Sequence, residues 1–242
     1  MSFVSCDFGY RRGSPVFHGL DFVFPPGRTV LLGPNGAGKS TLLGLAASLF
    51  LPTAGSVSYR GLDPSRRRDR SGYRRLVGWM PQNIAPIPGL TVREQVSYAG
   101  WLKGLSRREA WRRAPAALEA VELSPLGDRR CSLLSGGQLR RVGLAQTLVH
   151  DAEVILLDEP TAGLDPRQRE RFRQIVLGVG EHRHIIVSTH QTEDLTDLYS
   201  SVVVLDKGTV RYSGPTSGFL ALSQRERPSV EDAYARLVTG ET

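Results

Sequence analysis

A glycine-rich stretch near the N-terminus combines residue types that bind phosphate. Glycines at 33, 36 and 38 precede Lys39 and Ser40, and apolar runs flank the stretch. Glycine permits backbone angles that a side chain forbids, so successive N–H groups can converge on the β- and γ-phosphates of a nucleotide. The Lys39 ammonium can reach the outer phosphates, and the Ser40 hydroxyl can replace a water on Mg²⁺. Strand, glycine loop and helix predict a phosphate site; the alternative is a glycine-rich connection that happens to hold a lysine.

A pair of acidic residues, Asp158 and Glu159, ends a continuous apolar run. The run extends from Val154 to Leu157 and is typical of a buried parallel strand. Ligands of open α/β sheets bind at the carboxyl ends of the strands, so both acids are expected at a binding edge. Asp158 can hold Mg²⁺ through water, and Glu159 can orient or deprotonate an attacking water. The alternative, two acids on an exposed turn, does not explain the apolar run.

A second candidate phosphate site lies at Ser135, Gly136 and Gly137, ahead of a helical run from Leu139 to Val149. A serine and two glycines at a helix N-terminus can present backbone N–H groups to an anion, and the helix dipole favours negative charge there. The same residues are equally typical of a helix N-cap that follows a turn. The residues by themselves leave both interpretations open.

Two further residues could contact a nucleotide. His190 follows an apolar run that is typical of a strand, at the same predicted sheet edge as Asp158, where an imidazole could hydrogen-bond a γ-phosphate. A lone histidine is more often structural, which is the alternative. Tyr10 lies in a glycine-flanked turn, where an exposed ring could stack on a flat base. It could equally be an ordinary turn tyrosine, and Phe8 competes for the same role.

The hydrophobic pattern predicts the elements that position these residues. Residues 20–24 alternate in hydrophobicity and residues 25–27 interrupt the pattern, so residues from about 2 to 32 are predicted to form short strands joined by turns. Further strands are predicted at 55–59 and 76–80, and a β-hairpin at 202–212. The chain changes character after a proline-rich linker that begins beside Gln82.

A helical insert is predicted between about 90 and 130. Its first two helices are expected to begin at Thr91 and Ser106, because each is followed three residues later by a glutamate, as in a capping box. Pro115 suits the first turn of a third helix that runs to about Leu123. The insert would separate two parts of an α/β core.

The composition bounds the class of protein. The chain has 242 residues, of which 40% are hydrophobic, and a formal net charge of +7. No stretch suits a membrane span and no apolar segment follows a basic start, so a cytoplasmic location is predicted. Cys6 and Cys131 lack metal-binding spacing and are expected to be packing residues in a reducing compartment.

An arginine-rich run from Arg66 to Arg75 contributes much of the positive charge. It contains six arginines and one aspartate, and nearby serine and glycine predict a solvated, mobile loop. Such a run is a weak signal for base recognition, so no nucleic-acid partner is expected. Attraction to an anionic membrane surface is the next candidate.

Taken together and in this order, the motifs resemble the nucleotide-binding subunit of ATP-binding-cassette (ABC) transporters over nearly the whole chain. The signature motif separates that family from other P-loop proteins such as kinases and GTPases. Gly33 to Thr41 resembles the Walker A loop of the family, and Gln82 resembles its Q-loop. Leu134 to Gln138 resembles the signature, and Val154 to Glu159 resembles the Walker B strand. Leu164 with Asp165 resembles the D-loop, and His190 resembles the switch histidine.

The resemblance implies a site that binds ATP and Mg²⁺. Catalysis would involve Glu159, His190 and Gln82, and the metal would be held by Ser40, Gln82 and Asp158. Tyr10 falls where the family stacks an aromatic ring on adenine. The remaining contacts to ATP would come from Gly33, Asn35, Gly36, Gly38, Lys39, Ser40, Thr41, Ser135, Gly136, Gly137, Gln138 and Asp165.

The resemblance also implies an α/β fold of the P-loop NTPase class. It would have a RecA-like mixed sheet core, an N-terminal antiparallel β subdomain and an α-helical insert. One ABC ATPase domain would span 1–242, with 1–85 and 134–242 forming the α/β core and about 90–133 the helical subdomain.

The resemblance implies that the chain is an ATP-driven motor that works as a pair. Two copies would close head to tail around two ATP, as a homodimer, and drive a separate membrane-spanning permease from the inner face of the cell membrane. Two phosphate-binding loops separated by a helical insert are hard to aim at one nucleotide within one chain, which independently favours a symmetric pair.

Export is the direction that three segments favour. Residues 81–82, 89–94 and 228–234 resemble subunits of bacterial multidrug and antibiotic exporters more than those of importers. The alternative function is a soluble ATPase of the same family that acts in translation, DNA repair or cluster assembly. The long coiled-coil or zinc insertions of repair members and the second cassette of translation members are not seen in this sequence.

Overall fold

The computed structural model describes residues 1–11, 13–180, 182–191, 198–224 and 229–239. The chain divides into two units, Met1–Tyr73 with His184–Thr242, and Arg74–Arg183. Arg12 in the turn after Tyr10, and Pro228 in the tail that resembles exporters, lie outside the described residues. Within the described ranges, no helix has both the length and the apolar character needed to cross a bilayer.

The first unit contains two sheets. Their strands are β1 Ser2–Phe8, β2 Phe17–Val23, β3 Arg28–Leu32, β4 Ala54–Ser58, β7 His184–Thr189, β8 Ser201–Asp206 and β9 Thr209–Pro215. Antiparallel strands in the order β2-β1-β4 form one sheet. In the other, β3 lies between the parallel strands β7 and β8, and β9 pairs antiparallel with β8, so that sheet is mixed.

The centre of the mixed sheet is apolar on both faces. Val30, Leu31 and Leu32 of β3 are at most 1% exposed, as expected for a strand flanked by parallel neighbours. Helix α1, Lys39–Ala46, follows β3 directly and buries Leu42 and Leu43. The short helix α7, Thr216–Leu220, and the helix α8, Val230–Thr239, complete the described part of this unit.

The second unit is mainly helical. Its two strands, β5 Val77–Met80 and β6 Val154–Asp158, pair in parallel. Among the described residues of this unit, four complete α-helices accompany the strands, and two short 3₁₀ helices lie at Ser124–Leu126 and Cys131–Leu133. The α-helices are α3 Val92–Leu102, α4 Arg107–Ala120, α5 Gly136–Leu148 and α6 Pro166–Gly178.

The predicted loop in the arginine-rich run is wrong, because most of the run forms helix α2, Arg67–Leu76. Tyr73 on this helix is completely buried, and its hydroxyl donates a hydrogen bond to the Ala46 carbonyl at 2.6 Å. This contact joins residues 27 positions apart. Serine and glycine disfavour a helix only weakly, so burial of Tyr73 overrides their local preference.

The predicted third helix at Pro115 is also wrong, since Pro115 lies inside α4. A proline has no N–H to donate to the carbonyl four residues earlier, which here belongs to Trp111. That carbonyl instead accepts a hydrogen bond from Nη2 of Arg93 on α3 at 3.4 Å, and the Arg93 guanidinium lies 3.9 Å from the centre of the Trp111 ring. The neighbouring helix therefore compensates the lost backbone bond.

The predicted helix starts are confirmed. The Thr91 hydroxyl accepts from the Glu94 N–H, and the Glu94 carboxylate accepts from the Thr91 N–H, which completes a capping box. Ser106 caps α4 by accepting from the Glu109 N–H, but the reciprocal bond to the Ser106 N–H is not formed, so the second predicted capping box is only half formed. The Glu109 carboxylate contacts Arg112 and Arg113, and these bonds lower its pKa to about 2.

Candidate functional site

The loop between β3 and α1 has the backbone of a phosphate cradle. A Cβ atom at Gly33 would lie 2.3 Å from the Leu205 carbonyl oxygen, so no side chain fits there. Gly36 has a φ of +82°, and no atom lies within 4 Å of the place where its Cβ would be. Gly38, with a φ of +103°, precedes the first turn of α1. The exposed loop at Asn35 and Gly36 therefore leaves room for a phosphate group in front of a helix N-terminus.

Lys39 holds its charge inside this loop. The residue is 5% exposed, and its Nζ donates hydrogen bonds to the carbonyls of Gly33 at 2.7 Å and Pro34 at 3.1 Å. Ser40 is exposed at the start of α1, whereas Thr41 is buried. The loop thus combines a positioned cation with an accessible hydroxyl, the two groups that a nucleotide phosphate with a divalent metal requires.

Tyr10 lies beside the phosphate loop. Its hydroxyl is 3.0 Å from Oγ1 of Thr41, and its ring meets Phe8 and Phe50 edge-on, with centroids 5.2 and 5.5 Å away. The residue is 61% exposed, whereas Phe8 is 8% exposed. Between these two aromatic residues, only Tyr10 offers a ring to a base. A cavity of about 520 Å³ is lined by Tyr10, Phe8, His18 and Thr53, among others.

His190 reaches the same sheet edge as the phosphate loop. In the parallel pair of β3 and β7, Leu32 lies opposite Thr189. The residues that follow them are Gly33 and His190, so the loop and the imidazole leave the sheet at adjacent carboxyl ends. His190 is exposed there. The structure thus shows His190 beside the phosphate loop within the first unit, and its position at the same edge as Asp158 stays a prediction.

In the second unit, a direct contact joins Gln82 and Glu159. Met80 of β5 lies opposite Leu157 of β6, so both strands end at the same edge. Gln82 follows Met80 by two positions, and Glu159 follows Leu157 by two positions. Nε2 of Gln82 donates a hydrogen bond to Oε2 of Glu159 at 3.1 Å. Asp158 is 4% exposed at the end of β6. Strand pairing thus brings together an amide and a carboxylate that are 77 positions apart in the sequence.

Glu159 has an unusual backbone conformation. Its φ is +44°, in the left-handed region that residues with a side chain rarely adopt. Such a conformation costs on the order of 1 kcal/mol or more and is common in functional sites, where the surrounding structure holds it. The turn directs the chain away from β6 immediately after the two acids.

The glycine pair before α5 lies at a capped helix start. The Ser135 hydroxyl accepts from the Gln138 N–H, and the Gln138 side chain accepts from the Ser135 N–H, so the N-cap interpretation is confirmed. A Cβ at Gly136 would meet no atom within 4 Å, whereas a Cβ at Gly137 would lie 2.1 Å from Oε1 of Gln168 on α6. The open backbone at Gly136 is also compatible with a bound anion.

Two residues near these motifs, Arg140 and Gln168, were missed by sequence reasoning. Arg140 donates from Nη2 to the Ala162 carbonyl at 3.3 Å, and burial lowers its pKa while the Glu159 charge raises it. Gln168 abuts Gly137, and its N–H donates to the Asp165 carboxylate at 2.9 Å, which caps α6. Asp165 before a proline signals this cap in the sequence, but no pattern signals the roles of Arg140 or Gln168.

The comparison with protein families decides the identity. Residues 17–162 match the family model described as ABC transporter. The chain belongs to this family. ABC ATP-binding domains are ATPases coupled to transport. A solved dimeric ATP-binding cassette, bound to ADP and Pi in a post-hydrolysis state, confirms the α/β P-loop fold that was predicted for the chain. That structure superposes with a TM-score of 0.77 at 26% identity, covering 88% of this chain and 97% of the other.

Curated relatives of this ABC domain include proteins with both transport directions in their names. The uncharacterized ABC transporter ATP-binding protein YxlF of Bacillus subtilis is 36% identical over 76% of this chain and 60% of its own length. Nod factor export ATP-binding protein I of Paraburkholderia xenovorans is 37% identical, over 85% and 68%. Phosphonates import ATP-binding protein PhnC 2 of Synechococcus is 35% identical, over 85% and 81%. This ABC chain thus spans about 60% of the length of the first relative.

Proposed function

We propose that this ABC chain hydrolyses ATP and that hydrolysis drives a separate membrane-spanning permease. The observation that carries the proposal is the hydrogen bond from Gln82 to Glu159 at 3.1 Å. It connects a loop that leaves β5 with the acid that would activate water, at the edge where β6 presents Asp158. A loop in this position can sense the nucleotide and transmit its state to a partner.

ATP binding would use both glycine motifs. The loop from Gly33 to Thr41 would hold the phosphates through backbone N–H groups and the Lys39 ammonium, and the exposed ring of Tyr10 would stack on the base. Mg²⁺ would be held by Ser40, Gln82 and Asp158, a hydroxyl, an amide and a carboxylate, all oxygen donors of the kind it prefers. The bound Mg²⁺ would neutralise part of the negative charge of the phosphates.

Glu159 would act as the base. Its carboxylate would accept a proton from water while the water oxygen forms a bond to the γ-phosphorus, and the bond from that phosphorus to the bridging oxygen breaks to give ADP and phosphate. The hydrogen bond from Gln82 would orient the carboxylate for this transfer. His190 would hydrogen-bond the γ-phosphate from the edge it shares with the phosphate loop.

A head-to-tail pair would complete each site. Ser135, Gly136, Gly137 and Gln138 of one copy would cover the ATP that Lys39 of the other copy holds, with Asp165 at the same contact. The dimeric cassette with ADP and Pi supports a pair of this kind. Gly136 is exposed and has open space where a Cβ would lie, so a ligand from outside the chain can approach its backbone. We propose a homodimer.

The remaining proposals concern organisation and direction. One ABC domain would span 1–242, with the α/β core at 1–85 and 134–242 and the helical subdomain at about 90–133. The chain would lie in the cytoplasm against the permease, on the inner face of the cell membrane. Export is proposed from residues 81–82, 89–94 and 228–234 alone, because an export protein and an import protein are similar to this chain to nearly the same degree.

The variant Glu159→Gln tests the base and the pair together. It keeps the size of the side chain but removes the carboxylate, so hydrolysis should slow by about 10²-fold or more while ATP still binds. Unhydrolysed ATP should then stabilise the pair by mass action. Size-exclusion chromatography with light scattering should show a dimer on addition of ATP, and Glu119→Gln on the exposed side of α4 should behave as wild type.

The outcomes separate the two claims. Hydrolysis at the wild-type rate would remove Glu159 from the mechanism. Slow hydrolysis without an ATP-dependent dimer would leave the base in place and contradict a pair that forms without the permease.

The direction of transport has its own test, in which cells with and without the chain are loaded with ethidium. Slower ATP-dependent efflux of ethidium from cells without the chain supports export, and equal efflux contradicts export of this dye class.

A further inference from the structure

Helix α2 presents an arginine-covered face that the proposed ATPase activity does not use. In an α-helix each residue advances by about 100°, so Arg67 and Arg74 lie on one line and Arg68 and Arg75 on a neighbouring one. These four arginines and Ser71 occupy an arc of about 120°, and all five are exposed. Tyr73 lies outside this arc and is completely buried. The helix is therefore anchored by an aromatic residue and exposes guanidinium groups.

The acidic residues near this face are turned inward. The side chains of Asp63 and Asp69 are 11% and 13% exposed, whereas those of Arg66 and Arg68 are 59% and 79% exposed. The Asp63 carboxylate accepts hydrogen bonds from the N–H and hydroxyl of Ser65, at 2.9 and 2.7 Å. Its contact with Arg66 is longer, at 3.7 Å, as is the 3.5 Å contact between Arg68 and Asp69. The solvent-exposed surface of this face therefore carries mostly positive charge.

Arg70 has a structural role that differs from that of its neighbours. Its Nε donates to the Pro64 carbonyl at 2.9 Å, and its Nη2 donates to the Ser65 carbonyl at 3.4 Å. It fastens the turn that precedes α2. Arg70 is therefore left unchanged in any test of the exposed face.

We propose that the exposed face of α2, formed by Arg67, Arg68, Arg74 and Arg75, binds the anionic headgroups of membrane phospholipids. Arginine matches phosphate well, because its planar guanidinium can donate two parallel hydrogen bonds to phosphate oxygens. A cluster of arginines near a membrane is attracted by the negative surface potential of the cytoplasmic leaflet. This inference depends on the proposed function, which places the chain against a membrane-spanning subunit.

The composition of the face favours lipid over a protein or a nucleic acid. Protein interfaces depend on buried aromatic or apolar anchors, and among the described residues neither α2 itself nor the turn that precedes it carries a large exposed apolar side chain. Single-stranded nucleic acids need exposed rings for base stacking, whereas Tyr73 is buried. A fluid layer of phosphate groups requires neither feature.

Sedimentation with vesicles of stated composition tests the proposal. The full chain should bind vesicles that contain phosphatidylglycerol and phosphatidylcholine, should not bind phosphatidylcholine alone, and should be released by high salt. Changing Arg67, Arg68, Arg74 and Arg75 to Gln should weaken binding by about tenfold or more. The control changes four other exposed arginines, Arg107, Arg108, Arg129 and Arg130, to Gln and so alters the net charge equally. Its vesicle binding should stay within about twofold of wild type.

The outcomes also distinguish this inference from the proposed function. Both fourfold variants should hydrolyse ATP in solution at the wild-type rate, which shows that they fold. Equal loss of vesicle binding in the two variants would contradict the inference, because net charge alone would then explain attachment. Binding of a single-stranded RNA or a DNA duplex more tightly than of anionic vesicles, with loss in the α2 variant, would also overturn it. Loss of hydrolysis in Glu159→Gln bears only on the proposed function.

Discussion

The Lys39 ammonium donates a hydrogen bond to the Gly33 carbonyl at 2.7 Å, across the loop to which both residues belong. A second bond, to Pro34, fixes the same group. The carbonyls offset part of the cost of burying a charge, so the cation is in place before a phosphate arrives. A bound phosphate could then interact with Lys39 without the entropic cost of ordering a long side chain.

Changing Lys39 to Ala should abolish tight ATP binding. The substitution removes the one cation of the loop, which otherwise contacts phosphates only through backbone dipoles. We expect ATP affinity to fall by about 10²-fold, measured by titration calorimetry. Lys207→Ala, at an exposed lysine, should bind as wild type. Unchanged affinity and turnover in Lys39→Ala would contradict the phosphate cradle.

Changing Ser135 to Arg should suppress hydrolysis while the isolated chain still binds ATP. The large cation would block the nucleotide held by the other copy. Ser106→Arg is the matched control, because it also adds a charge and removes an N-cap serine, but on α4. Each variant should lose about 1 kcal/mol of stability from the lost cap. Normal turnover by Ser135→Arg in a steady-state phosphate-release assay would show that the site is not shared.

The ring of Tyr10, rather than its hydroxyl, should determine affinity for the base. Tyr10→Phe removes the contact with Thr41 but keeps the ring, whereas Tyr10→Ala removes both. Stacking contributes on the order of 1–3 kcal/mol, so we expect KM for ATP to rise about tenfold in Tyr10→Ala and little in Tyr10→Phe. Equal KM values for Tyr10→Ala and wild type would exclude stacking by Tyr10.

His150 should make the protein less stable in mild acid. Burial, reinforced by the charge of Lys103, lowers the pKa of His150 from 6.5 to about 4. As pH falls below 6.5 the unfolded chain takes up a proton that the folded chain accepts only near pH 4, so the free energy of unfolding falls across this window, by about 3 kcal/mol in total. Urea titrations between pH 7 and 4 would measure it.

Two histidine variants isolate this effect. His150→Leu should flatten that part of the pH dependence, whereas His182→Leu, at an exposed histidine, should leave it unchanged. An equally steep loss of stability in His150→Leu and wild type would show that other groups cause the acid sensitivity.

Several features could be predicted from the sequence because they depend on neighbouring residues. The phosphate loop requires glycine where the backbone is left-handed, as at Gly38, and such a requirement is visible in any stretch of chain. The caps at Thr91 and Ser135 join residues three positions apart. The apolar run before Asp158 signals a buried strand through its composition alone.

Only the tertiary structure decided what depends on contacts between distant residues. Helix α2 forms because Tyr73 is buried and bonded to Ala46, although local composition favours a loop. Pro115 is tolerated inside α4 because Arg93 of another helix takes the carbonyl that it leaves. The sequence predicts that Gln82 and Glu159 both follow strands, but their contact depends on which strands pair and in which register. Local patterns specify the elements, and the burial of shared apolar surface selects their partners.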